Sequence, residues 1–310
     1  MKPIIKQRII YIFQFGIGFA LIVWILLQVD SGQFIGYFRE LSLVNFLFIG
    51  VLSGLGLYIQ FRRWKYLVER YSLHFELKDL MPSFFAGYAF RILIPGGHAE
   101  FSKIFLLPGK KRGKALAFGV EKLFQTLIKI FALIIVIPIS FPDYTIYCII
   151  GLIILITGYF FFPRIPILKD LQEKDVNYHR VFGMNFIFSL GIYVLMGMQY
   201  YVLLNQADTI SLIATFHTAV YLWAAGMVPI TVSGLGVREG LAVYFFDHYS
   251  ISAAHAVATS LFLFTINIIF PAIIGAFYIY RKRTYFGELK NSIKSTKEII
   301  AAIRGQKEPK

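Results

Sequence analysis

Cysteine is almost missing from this chain: there is one, Cys148, in the middle of an apolar run. A single thiol can form neither an intramolecular disulfide nor a thiolate metal cluster, so neither holds the fold. Charge is scarce as well, at 15% of residues, and acidic charge is the scarcest, with 17 Asp and Glu against 31 Lys and Arg. So little charge beside 57% hydrophobic residues and a mean hydropathy of +0.66 excludes an ordinary soluble domain and makes the bilayer the main solvent. No HExxH is present, and residues 109–115 fall short of a phosphate loop by one intervening residue, with Ala115 where a hydroxyl residue belongs. No metal, no cofactor and no enzymatic activity are expected.

What is present is length of apolar sequence. Residues 9–29, 43–61, 123–141, 144–162, 181–204 and 252–280 are each apolar enough to cross, since about 20 residues cover the hydrocarbon core. The first follows Lys2, Lys6 and Arg8, is long for a signal-peptide core and has no A-x-A site after it, so it is expected to stay in the protein. Two further segments are apolar but interrupted: residues 80–107, broken at Pro95, Gly96 and Gly97, and residues 210–246, broken at Pro229, Ser233, Gly234 and Gly236.

The basic residues sort the loops. Three precede the first span, five lie in 62–78, four in 110–114, four in 164–180 and nine in the tail from Arg281, whereas the remaining loops hold only Arg39. By the positive-inside rule the first group is cytoplasmic, with both termini. This placement explains the basic surplus without a nucleic-acid partner. Each broken segment then starts and finishes on one side of the membrane, which predicts two re-entrant hairpins; helical hairpins that cross twice are the alternative. The expected fold is an all-α polytopic membrane protein of six transmembrane helices and two re-entrant helical hairpins.

A shift of 139 residues lays one broken segment on the other, with Ala86, Gly87, Gly97 and Glu100 falling on Ala225, Gly226, Gly236 and Glu239, and carries spans one to three onto spans four to six. Three crossings per copy invert the second copy, as in transporters whose site lies at the midplane where discontinuous helices meet. The domains are expected as 1–141, 142–280 and a basic tail, 281–310, suited to anionic lipid.

Ionised side chains at depth need partners or water. Arg91, His98, Glu100 and Lys103 lie in the first hairpin, Arg238 and Glu239 in the second. One reading is internal pairing, for example Arg91 with Glu239. The other is a phosphate site: helices restarting after Gly96, Gly97, Ser233, Gly234 and Gly236 offer free N–H groups, Arg91 and Arg238 supply bidentate donors, and Glu100 and Glu239 bind a cationic group or exchange a proton. Glu121, Lys122, Gln125 and Lys129 are accessory candidates, because 122, 125 and 129 share a helix face.

Ile94-Pro95-Gly96-Gly97-His98-Ala99-Glu100 and Ser233-Gly234-Leu235-Gly236-Val237-Arg238-Glu239-Gly240 resemble the two signatures of the lysylphosphatidylglycerol synthase transmembrane-region family. The resemblance implies a flippase-like lipid transporter of a bacterial cytoplasmic membrane. It implies as substrate a membrane phospholipid, anionic or lipid-linked. The chain is not expected to make lysyl-lipid itself. Competing readings are a proton-coupled transporter of a small solute and an accessory subunit that presents lipid to a glycosyltransferase or synthase. A homo-oligomer or a lipid-modifying enzyme is the partner these readings would add.

Overall fold

The computed structural model describes residues 3–71, 75–93, 99–107, 111–161, 177–227 and 231–281. All regular structure among them is helical. Eleven α-helices run in order: α1 Pro3–Gln28, α2 Ser31–Arg39, α3 Leu43–Tyr71, α4 Leu77–Leu93, α5 Lys111–Ser140, α6 Thr145–Phe161, α7 Tyr178–Leu204, α8 Leu212–Ala225, α9 Val237–Asp247, α10 Ala253–Phe264 and α11 Phe270–Arg281. Short 3-10 segments cover Ala99–Leu106, Pro142–Tyr144 and Val232–Gly234. Five helices are long and apolar enough to cross a membrane, and the bent pair of α1 and α2, turned by 96°, makes a sixth span if taken together. α6 shows why lipid is the solvent: Ile146, Tyr147, Ile150, Ile153 and Ile154 are 50–68% exposed, apolar surface that water would not tolerate in one stripe.

Several helices extend past the expected spans. α3 continues through Arg63 and Trp64 to Tyr71, because Trp64, Leu67, Val68 and Tyr71 keep the helical spacing and are all buried. α5 begins at Lys111, so residues 111–114, expected as loop, form its first turn. The expected loop between the first two spans, which holds Arg39, contains the helix α2; Asp30 caps it by accepting from the Gln33 N–H at 2.8 Å, and its Tyr37 is buried, donating to the Leu203 carbonyl at 3.2 Å. α10 and α11 are one long rod interrupted by a π-helical turn, Thr265–Ile269. Pro271 has no N–H to offer the carbonyl four residues back, which accounts for the irregular turn just ahead of it.

Both interrupted segments fold back on themselves. The Ala99–Leu106 segment lies beside α4: Ser83 Oγ donates to the Lys103 carbonyl at 2.7 Å. Its eight residues rise about 16 Å at about 2.0 Å each, little more than half a hydrocarbon core. In the second, α8 and α9 are joined by the stacked rings of Tyr221 and Phe245, 3.9 Å apart. With 14 and 11 residues, these arms reach only about 21 and 16 Å.

Each hairpin is braced by a helix from the other half of the chain. α11 packs on α4 so closely that a Cβ at Gly275 would fall on the Phe85 carbonyl. α5 packs on α8, with Tyr221 Oη donating to Ser140 Oγ at 2.9 Å and near the Val136 carbonyl at 3.3 Å. α1 touches the turn of the second hairpin: a Cβ at Gly18 would lie 3.3 Å from the Leu235 carbonyl. Small residues at these crossings let backbones approach, the usual basis of helix association in lipid.

Candidate functional site

The two hairpins meet around a cavity of about 200 Å³. α3 brings Gln60 and Arg63 to it, one turn apart. α4 presents Phe84, Gly87, Tyr88 and Arg91, which the helical period places on one face. Glu100 and Lys103 come from the 3-10 segment, whose three-residue turn stacks them. α5 adds Glu121, Lys122, Gln125 and Lys129, all four of the accessory residues expected from the sequence. The other wall is Tyr200 of α7, Trp223 of α8 with Gly226 beside it, Ser233, Arg238 and Asn267.

The charges form a chain of pairs. Glu121 accepts from Lys103, also lies 3.7 Å from Arg63, and takes the Gln125 amide at 3.4 Å. Lys103 further sits 3.8 Å from the Trp64 ring centre, where the ring's negative face adds to its hold. Glu100 pairs with Lys122 and has Arg91 Nε at 3.7 Å. Lys129 lies 5.4 Å from the Trp223 ring centre. Arg91 and Lys122 keep 30% of their side chains exposed, so the cavity is reachable.

The expected partnership of Arg91 with Glu239 does not form. Arg91 does reach across to the second hairpin, but to Ser233, with Nε donating to Oγ at 3.2 Å. Glu239 is fully buried behind the wall. It accepts from Arg238 Nη2 at 2.7 Å, from Ser260 Oγ at 2.8 Å and from the Gly236 N–H at 2.6 Å. Arg238 and Glu239 sit in the first turn of α9, where the long guanidinium folds back over its neighbour and is fixed by Ser260 through two further contacts at 2.9 Å. The free N–H groups expected at the start of α9 are accordingly engaged in part, since Glu239 closes its own helix end.

The turn before α9 explains its residue choice. Ser233, Gly234 and Gly236 have φ of 57°, 77° and 84°, in the left-handed region that glycine adopts without penalty. Gly236 also faces α1, where a Cβ would stand 2.7 Å from Leu21 Cβ and 3.0 Å from the Gly18 carbonyl. Gly96, Gly97 and His98 lie outside the described residues.

Sequence reasoning missed several lining groups. Arg63 was counted among loop charges, although the buried period from Leu52 through Trp64 to Tyr71 signals a continuing helix. Tyr88 donates to Gln60 Oε1 at 2.8 Å. Asn267, on the π-helical turn, belongs to a polar triad: its amide donates to Gln199 at 2.9 Å, Gln199 to Ser53 at 2.8 Å and Ser53 back to Asn267 at 2.8 Å. Three amide or hydroxyl residues inside apolar spans were a readable signal.

A helical, multi-pass membrane protein with a buried, cation-rich cavity between two helical hairpins is the class these observations define. The chain belongs to the family described as the lysylphosphatidylglycerol synthase TM region, which it matches over residues 11–275. No curated protein matches it.

Proposed function

We propose that this chain is a flippase-like transporter that carries a phosphate-bearing lipid headgroup across a bacterial cytoplasmic membrane, with both termini in the cytoplasm. The observation that carries the reading is the charge of the cavity: Arg63, Arg91, Lys103, Lys122, Lys129 and Arg238 line it, against Glu100 and Glu121 on its wall and Glu239 behind Arg238. A surplus of buried cations is costly in lipid and calls for an anion. The same surplus disfavours an aminoacylated, cationic headgroup.

Two copies of an inverted repeat, each with a re-entrant hairpin, fit this function. The reciprocal bracing supports it, since the 139-residue shift carries Val136 of α5, beside α8, onto Gly275 of α11, beside α4. In such folds the halves rock about a central site. On the outer side of the cavity, 11 residues and about 16 Å beyond Lys129 along α5, His217 bridges Ser140 and Tyr249 at 3.2 Å each; this knot would have to open on the outward stroke.

The test is reconstitution in liposomes containing phospholipids with fluorescent headgroups, followed by dithionite quenching. Wild type is expected to expose inner-leaflet anionic lipid to the quencher, and Arg91→Gln or Lys122→Gln to slow this at least about tenfold while melting normally. Wild type that moves no anionic lipid, with or without a proton gradient, would overturn the reading in favour of solute transport or an accessory role.

A further inference from the structure

The six cations of the cavity are unevenly neutralised. Glu121 is shared by Arg63 and Lys103, Glu100 is shared by Arg91 and Lys122, and Glu239 is held by Arg238. Among the described residues Lys129 forms no ion pair, and its ammonium rests over the Trp223 ring. Arg91 has Glu100 only at 3.7 Å, because its Nε is directed to Ser233.

Arg91 and Lys129 converge. A Cβ placed on Gly226 would lie 3.8 Å from Arg91 Nη2 and 3.8 Å from Lys129 Nζ. Glycine at this position leaves open a spot within 3.8 Å of both cations. Two like charges aimed at one point inside a protein repel each other unless an anion sits between them. A phosphodiester brings one negative charge, whereas the cavity carries three more cations than carboxylates.

Resting on the headgroup reading above, we propose that the occupant bears at least two negative charges on its phosphate end, as a phosphomonoester or a diphosphate, seated between Arg91 and Lys129 beside Gly226. The guanidinium fork suits two oxygens and the ammonium, a point charge, takes a third. The space agrees: about 200 Å³ is below the roughly 300–1,000 Å³ of pockets for drug-sized ligands, enough for one or two phosphate groups and little else. Arg63, Lys103 and Lys122, already paired, set the surrounding positive potential.

The same chemistry could arrive on a lipid or as a free anion, so the experiment carries both. Equilibrium binding to purified protein is measured for short-chain phosphatidic acid, short-chain phosphatidylglycerol, farnesyl diphosphate and inorganic pyrophosphate, on wild type, Lys129→Gln and Lys129→Arg, each checked by melting. Phosphatidic acid and farnesyl diphosphate are expected to bind at least about tenfold more tightly than phosphatidylglycerol. In Lys129→Gln all lipids weaken, the doubly charged ones most, so that the ratio falls below about threefold; Lys129→Arg restores it. Equal affinity for phosphatidic acid and phosphatidylglycerol in wild type, or a preference untouched by Lys129→Gln, overturns the proposal and leaves the headgroup site standing. Failure of every phosphate-bearing lipid to bind overturns both. Pyrophosphate binding as tightly as farnesyl diphosphate supports the charge class and overturns the lipid as its source.

Discussion

Glu239→Gln separates a proton carrier from a structural clasp. The side chain is 0% exposed, and its two oxygens divide three donors between them, the Gly236 N–H on one side and Arg238 with Ser260 on the other. Glutamine has nearly the same shape, so packing survives. Its NH₂ must face a donor in either rotamer, and Arg238 loses its counter-charge. Removing one partner of a buried pair costs about 3–5 kcal/mol; since Arg238 keeps both contacts to Ser260, the lower end, about 3 kcal/mol, is expected. At about 2–4 °C per kcal/mol for chains approaching this size, melting should fall by about 6 °C or more. The assay is thermal unfolding in detergent, followed by tryptophan fluorescence. Adding Arg238→Met to Glu239→Gln should cost less than the two single changes together, because the neutral amide no longer faces a stranded cation. A Glu239→Gln protein that melts within about 1 °C of wild type yet transports nothing would refute this reasoning and make Glu239 a titrating group of the transport cycle.

Three other changes follow from the same geometry. Gly236→Ala places a side chain at φ 84° and 2.7 Å from Leu21; left-handed strain of about 1–2 kcal/mol plus displacement of α1 should lower melting by several degrees in the same assay, and Gly275→Ala, which meets the Phe85 carbonyl, should prevent α11 from seating and show as aggregated protein on gel filtration. Lys129→Met should raise the melting temperature of ligand-free protein, since Lys129 Nζ and Arg91 Nη2 are no more than about 7.6 Å apart and repel by about 2 kcal/mol at an effective dielectric of about 20, and the variant should gain nothing from added phosphatidic acid.

The membrane class, the long spans and the two interruptions were legible because bilayer thickness dictates about 20 apolar residues per crossing and little else produces such runs. Helix ends were less legible. The positive-inside rule reports which side a charge occupies, not where the backbone stops being helical, so Arg63 was set down as loop although it lies within α3. The residues of the cavity were largely nameable in advance: Arg91, Glu100, Lys122, Gln125, Lys129, Ser233 and Arg238 all border it. Their partners were not. Lys122 with Glu100, Lys103 with Glu121 and Arg91 with Ser233 are separated by 22, 18 and 142 positions, and pairing over such distances depends on how the hairpins dock.

From the sequence alone came the solvent, the presence of long apolar helices, the two interrupted segments and the charges that had to be accommodated at depth, because hydropathy, glycine and proline act locally. Only the tertiary structure decided which of those charges cancel and which are left over. Arg238 and Glu239 satisfy each other against Ser260, while Arg91 and Lys129 are brought to one point by helices from different parts of the chain. That distinction rests on distances of a few ångströms between elements far apart in sequence, and the anion site proposed above rests on it.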